Sequence, residues 1–142
     1  MLNDYKYVTD YGVEMYETVP ADRKAHLARI ISESFLVQGD AESARRFYEL
    51  SSDLTGAQKS RADLFFSGSV LYAVEDYKGA VENYSQMTDR TDSLGQIANY
   101  HMGYSYIQMK DKVSALTAFK DASAQSYDPV MAEDAFFNYA KL

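Results

Sequence analysis

A pattern of small, acidic, alanine and aromatic residues occurs three times in this chain and restricts its possible folds more than any other feature. Each copy has a small residue, then a large apolar residue, an aspartate, an alanine and an aromatic residue. Consecutive copies lie 36 and 35 residues apart. The matched positions are Ser32, Phe35, Asp40, Ala44 and Tyr48; Gly68, Leu71, Asp76, Ala80 and Tyr84; and Gly103, Tyr106, Asp111, Ala115 and Phe119. A period of this length predicts stacked supersecondary units.

Each copy is predicted to consist of two helices joined by a tight turn. Apolar residues recur at i, i+3, i+4 and i+7 within a copy, which is the helical period. The aspartate falls between the two helices, where its side chain can cap the second one. Gly39, just before Asp40, can adopt the positive φ that ends a helix. The small residue and the alanine would let the two backbones approach closely, with the aromatic residue filling the space toward the next pair.

Composition and charge exclude several classes of function. The chain has 142 residues and a net charge of −7, which opposes binding to a nucleic-acid backbone because such binding requires clustered lysine and arginine. Without cysteine, the chain has no disulfide, no cysteine-bound zinc and no thiol nucleophile. No apolar run approaches the roughly 18 residues of a membrane-spanning helix, so we expect no direct membrane insertion.

The sequence contains no recognisable catalytic or cofactor-binding motif. Glycine-rich phosphate loops, the zinc-protease motif and the nucleophile elbow are all missing. His26 and His101 belong to different copies and are interpreted as a solvated residue and a partly buried packing residue. The adjacent carboxylates Glu133 and Asp134 are interpreted as the acidic first turn of a helix. We therefore expect a protein that is not an enzyme and that holds no cofactor and no metal.

The pattern resembles the tetratricopeptide repeat, a helix–turn–helix unit of about 34 residues. The third copy matches this family best, through Met102, Gly103, Tyr106, Ala115, Phe119 and Ala122. The second copy departs from the pattern at Met87, the first departs at Ser32 and Ser51, and no copy has the family's tryptophan. The resemblance implies an all-α fold, a superhelix of antiparallel helix pairs.

The repeat also predicts how the chain is organised. We expect one helical array over residues 1–142, with a helix of a truncated upstream unit at 4–17, helix pairs at 25–54, 61–90 and 96–124, and the first helix of a further unit at 129–142. Because both ends fall within a unit, we expect a piece of a longer protein. The alternative is a short protein whose last helix packs on the third pair or on another copy of the chain.

Carried over by position, the resemblance implies a concave groove lined by the first helix of each pair. The residues expected to bind a partner there are Arg29, Glu33, Phe65, Tyr72, Tyr100, Tyr104 and Gln108. Neighbouring groove positions are His26 and Ser69, with Phe137 and Lys141 if the last helix continues the array. Tyrosine offers a large contact area at a small entropic cost, which suits a binding surface. The alternative role for these aromatic residues is packing between helices.

Two functions agree with these features. The first is a non-enzymatic scaffold that binds a peptide or a partner helix through the aromatic groove, with an apolar, aromatic or mildly basic segment as ligand. Repeats of this family that bind a C-terminal carboxylate hold it with lysine, asparagine and arginine on their first helices. Here Arg29 is the one basic residue at the groove positions of the three pairs and none is asparagine, so an acidic C-terminal peptide is not expected as the ligand. The second is a structural spacer or self-association module that pairs through its end helices.

A shorter similarity concerns location. The helix starts Arg61–Phe66 and Ala132–Phe137 are similar to those of bacterial envelope repeat proteins, which help to coordinate outer-membrane constriction or assembly. This similarity implies the bacterial periplasm or cell envelope, with the cytoplasm as the alternative.

Overall fold

The computed structural model describes residues 2–52 and 59–142 of the chain. Within these ranges the backbone forms eight helices and no strand, which confirms the predicted all-α class. They are α1 (Leu2–Tyr16), α2 (Ala21–Val37), α3 (Ala41–Ser52), α4 (Arg61–Ala73), α5 (Tyr77–Tyr84), α6 (Ser93–Gln108), α7 (Lys112–Ser123) and α8 (Pro129–Lys141). Residues 53 and 54, the end of the predicted pair 25–54, lie outside the described residues.

The chain divides into two compact units, an N-terminal unit (Met1–Gln58) and a C-terminal unit (Lys59–Leu142). The N-terminal unit contains α1 to α3, and α2 packs on both of its neighbours. In the C-terminal unit, α4 to α8 pack in chain order, and the alternate helices α4, α6 and α8 also contact one another in sequence. This arrangement is compatible with an α-α helical repeat. The single array over 1–142 and the superhelix stay predictions.

The same turn joins the two helices of all three pairs. Asp76 and Asp111 accept hydrogen bonds from the backbone N–H three residues on, at 3.0 and 3.1 Å, and Asp40 does the same. The predicted capping role of these aspartates is therefore confirmed. The residue before each aspartate has a positive φ, 82° at Gly39, 64° at Glu75 and 62° at Lys110. Two of the three turns thus hold a side-chain-bearing residue in the left-handed region.

The core of the N-terminal unit lies between its three helices. Ala28 and Ile31 of α2 and Phe47 of α3 are buried, and Val13 and Tyr16 of α1 pack against them. The small residue of this first copy makes a polar contact, because the buried Ser32 hydroxyl donates a hydrogen bond to the carbonyl of Ala44 on α3. That bond ties the two helices at the predicted close approach.

In the C-terminal unit, the glycine of each copy lies under the aromatic ring of its own pair. A Cβ added at Gly68 would come within 2.7 Å of the Tyr84 ring, and one at Gly103 within 2.6 Å of the Phe119 ring. Both rings are fully buried. The repeat therefore requires glycine here because the ring occupies the space that any side chain would need.

A buried glutamine fixes the start of α8. The amide of Gln96 on α6 donates to the carbonyl of Gln125 at 2.8 Å and accepts from the N–H of Asp128 at 2.9 Å. Asp128 in turn caps α8, accepting from the N–H of Met131 at 3.1 Å. Because these bonds hold the first turn of α8 against α6, they also set the position of the residues further along α8.

Candidate functional site

Four aromatic rings and two polar side chains lie together across α4, α6 and α8, and form what is termed here the tyrosine strip. Its members are Tyr72 of α4, Tyr100, His101 and Tyr104 of α6, and Asp134 and Asn138 of α8. Tyr100 and Tyr104 are four residues apart on a helix and so share a face. Their rings meet edge to face with centroids 5.1 Å apart. The strip brings together three of the residues predicted to bind a partner.

Stacked rings join α4 to α6 at one end of the strip. The ring of Tyr72 lies parallel to the imidazole of His101, with centroids 4.0 Å apart and an angle of 8°. The hydroxyl of Tyr84 lies 2.9 Å from Nδ1 of His101 and 3.0 Å from Oγ of Ser69. The predicted packing role of His101 is compatible with these contacts.

The hydrogen bonds that link Ser69, Tyr84 and His101 determine which nitrogen of the imidazole carries the proton. The hydroxyl of Ser69 donates to the carbonyl of Phe65 at 2.8 Å, so it can only accept from Tyr84. Tyr84 then has no second proton for His101, and Nδ1 of the imidazole must be the donor. Burial lowers the pKa of His101 to about 4, so the ring is neutral at neutral pH. Its Nε2 is therefore an unprotonated acceptor.

A carboxylate organises the other end of the strip. Oδ2 of Asp134 accepts hydrogen bonds from the hydroxyls of Tyr100 and Tyr104, the latter at 2.8 Å, and from the amide of Asn138 at 3.1 Å. The bond from Tyr100, followed by that from Tyr104, lowers the pKa of Asp134 below its usual range. Burial and then the bond to Asp134 raise the pKa of Tyr100. The strip therefore carries a fixed negative charge at neutral pH.

The interpretation of Glu133 and Asp134 as an acidic first turn is wrong. Asp128 caps the helix at Pro129, so the carboxylates fall in the second turn. The carboxylate of Asp134 instead accepts hydrogen bonds from the tyrosines of the strip. Neither Asp134 nor Asn138 was predicted as a site residue. Their spacing of four residues, which puts both on one face of α8, was the signal available in the sequence.

The other predicted site residues are placed less centrally. Phe65 packs on the core of the C-terminal unit, and Gln108 is exposed at the last residue of α6. Phe137 is 61% exposed, with Nζ of Lys141 above its ring. In the N-terminal unit His26 is exposed, and Arg29 and Glu33 form an ion pair at 3.0 Å along α2.

Two tyrosines of the strip also pack between helices, which is the alternative role considered for these aromatic residues. Tyr100 and Tyr104 both meet Phe119 of α7 edge to face, with centroids 6.3 and 5.2 Å away. Both tyrosines nevertheless keep part of their surface in solvent. They are packed on one side and accessible on another, so a binding role for them stays a prediction.

Outside the strip, a metal site or a ligand-binding cavity among the described residues would be the other basis for chemistry. Over residues 2–52 and 59–142, no three histidine, aspartate or glutamate side chains converge as a metal would require. A polar cavity of about 300 Å³ lies between the α5–α6 connection and α7. The guanidinium of Arg90 in its wall is bonded to Asn99 at 2.9 Å and to two backbone carbonyls. That arginine therefore serves to hold the connection in place.

Comparison of the chain with protein-family models, with curated proteins and with solved structures found no match. Among the helices that the structure describes, none combines the length and the apolar character needed to cross a bilayer. The residues of the tyrosine strip are thus the basis on which a function can be inferred.

Proposed function

We propose that this chain is a non-enzymatic protein-interaction scaffold of the tetratricopeptide kind, which binds a peptide or partner helix along the tyrosine strip. The repeated turn and the glycine under each aromatic ring in the C-terminal unit support the repeat. A superhelix of such pairs would place α4, α6 and α8 side by side on its concave face.

The stacking of Tyr72 on His101 is the observation on which this proposal mainly rests. It joins the first helices of two consecutive pairs into one aromatic surface that is partly open to solvent. Aromatic residues with a polar tip dominate the binding energy of many protein interfaces. Because the rings are held by neighbours, little side-chain entropy would be lost when a partner binds.

Selection of peptides tests this function without knowledge of the natural partner. A library of displayed random peptides would be selected on the wild-type chain, and the dissociation constants of the enriched peptides measured on variants. Tyr72→Ala should weaken binding at least about tenfold, the loss typical of an interface hot spot. Tyr127→Ala is the matched control, since Tyr127 is 63% exposed and lies outside the strip. Equal affinity for both variants would contradict the proposal.

A second function, self-association through the end helices, is favoured by exposed apolar residues. Val130, Phe136 and Phe137 of α8 are 77%, 60% and 61% exposed. In the N-terminal unit, Tyr7 and Tyr11 of α1 are 63% and 52% exposed. Sedimentation equilibrium over a wide concentration range would show a rising mass that Phe136→Ser abolishes. A constant monomer mass would rule this function out.

A further inference from the structure

We propose that the tyrosine strip recognises an arginine side chain of its partner, whose guanidinium donates to Oδ1 of Asp134 beside the rings of Tyr100 and Tyr104. This inference rests on the proposed function, since it concerns the same surface. It names the chemistry of the partner, which is a basic peptide segment. The argument comes from the hydrogen bonds that the strip has already formed and from those it leaves open.

The donors at Asp134 are consumed within the strip. Both tyrosine hydroxyls give their single proton to Oδ2. The two amide protons of Asn138 are shared among Oδ2, the hydroxyl of Tyr104 at 3.0 Å and the carbonyl of Asp134 at 2.8 Å. Each of the three side chains donates to Oδ2 of the carboxylate, and Oδ1 receives no hydrogen bond from any of them.

The acceptors, by contrast, are left open. Among the described residues, Oδ1 of Asp134, Oδ1 of Asn138 and Nε2 of His101 have no hydrogen-bond partner. Each of these atoms keeps some contact with solvent, because the described part of the chain has no fully buried side-chain nitrogen or oxygen without a partner. Asn138 itself is only 7% exposed, whereas Asp134 is partly exposed, so its carboxylate is the acceptor most accessible to a partner. The hydroxyl of Tyr72 can donate or accept. The strip thus presents mostly acceptors, one of them charged.

A guanidinium is the protein side chain that best complements such a surface. It has five N–H donors and no acceptor, so it would leave none of its own acceptors unpaired. It is planar and weakly hydrated, which allows it to stack on tyrosine while it donates to a carboxylate. An ammonium is more strongly hydrated and cannot stack in this way.

The cation nearest to this position on α8 is Lys141, seven residues beyond Asp134. Its charge contributes to the lowered pKa of Asp134, while its Nζ lies 5.0 Å from the centroid of the Phe137 ring. No ion pair joins it to Asp134 among the described residues. Because Lys141 is not paired with Asp134, it leaves Oδ1 of the carboxylate unoccupied, but it would repel an incoming cation.

Peptide titrations followed by NMR test the inference. The probes are three nine-residue peptides of alanine and glycine around a central tyrosine–X pair, where X is arginine, lysine or the neutral arginine analogue citrulline. Each is added to the ¹⁵N-labelled full chain, and the amide shifts of α6 and α8 give the dissociation constant. The arginine peptide should bind about fivefold tighter than the citrulline peptide, as one partly exposed charge-assisted contact provides.

Asp134→Asn and Glu133→Gln form the matched pair of variants. Each removes one negative charge from neighbouring positions of α8, and Glu133 is exposed outside the strip. Asparagine at 134 can still accept from Tyr100 and Tyr104, so the fold should persist, which the spectrum itself reports. The preference for arginine over citrulline should disappear in Asp134→Asn and remain in Glu133→Gln. Lys141→Met should strengthen arginine binding by relieving repulsion.

Each remaining outcome has a definite meaning. An equal loss in Asp134→Asn and Glu133→Gln would show a general charge effect and overturn the recognition of arginine. If the citrulline peptide bound as tightly as the arginine peptide, and Tyr72→Ala weakened both, the arginine inference would be wrong while the proposed function stood. A lysine peptide as tight as the arginine peptide would refute the choice of guanidinium. No shift in the strip with any peptide would contradict both proposals.

Discussion

Lowering the pH should destabilise the C-terminal unit through the protonation of His101, before Asp92, Asp111 and Asp134 are protonated. The folded structure lowers the pKa of this imidazole from 6.5 to about 4, and the cause is burial between Tyr72 and Tyr84. A group whose pKa is lowered on folding binds its proton more readily in the unfolded chain. The resulting stability is complete above pH 6.5 and is lost as the pH falls from there toward 4.

The size of the effect follows from the two pKa values. Linkage gives a loss of about 2 kcal/mol in the free energy of unfolding at pH 5, relative to pH 7.5. The full loss, below both pKa values, is about 3 kcal/mol. Asp92, Asp111 and Asp134 also have pKa values lowered below 3.8, so their contributions are still complete at pH 5. The interval from pH 7.5 to 5 therefore separates the effect of His101 from that of these three aspartates.

Urea unfolding at pH 7.5 and 5, followed through the amide resonances of α6, measures this difference. His101→Gln keeps a hydrogen-bonding group near Tyr84 but does not titrate, so its loss of stability should be much smaller. His26→Gln changes an exposed histidine and should behave like the wild-type chain. The Hε1 resonance of His101 should titrate with a midpoint near 4. A midpoint near 6.5, or the same pH dependence in His101→Gln and wild type, would refute the reasoning.

Four further substitutions test the packing, each by urea unfolding of the full chain. Gly39→Ala should lower the free energy of unfolding by about 1 kcal/mol, since a side chain disfavours the left-handed region. Lys110→Gly, at the same position of the third pair, should raise it by up to about 1 kcal/mol for the same reason. Gly103→Ala should lower it by about 1–3 kcal/mol, because the new Cβ meets the Phe119 ring. Tyr104→Phe should lower it by about 1 kcal/mol, through the lost hydrogen bond to Asp134. No change in Gly103→Ala would contradict the packing of that ring.

The repeat positions account for the part of the fold that the sequence predicts. Asp76 and Asp111 could be assigned as caps because a cap needs only local geometry, and Gly39 could be assigned a positive φ for the same reason. The positive φ of Glu75 and Lys110 could not be predicted, because nothing in those side chains favours the left-handed region. There the hydrogen bonds of the turn override the local preference of the residue.

The chemistry of the candidate site was mostly outside the reach of sequence reasoning. The tyrosines could be placed on α6 from their period, but Asp134, which accepts from both hydroxyls, lies 34 residues beyond Tyr100 and 30 beyond Tyr104. Its position depends on where α8 begins, which is set by the hydrogen bond between the buried side chain of Gln96 and the backbone N–H of Asp128. Neither residue belongs to the repeated pattern, so the period held no information about this contact.

Differences between copies decide what the surface offers to a partner. The residue after the repeat glycine is Ser69 in one copy and Tyr104 in the next. Ser69 is used internally, since its hydroxyl bonds to Phe65 and Tyr84 within its own pair. Tyr104 instead reaches α8 and directs its hydroxyl at Asp134. The repeated positions are occupied in packing, so a partner that distinguishes α6 from α4 must do so at positions such as this one, where the copies differ.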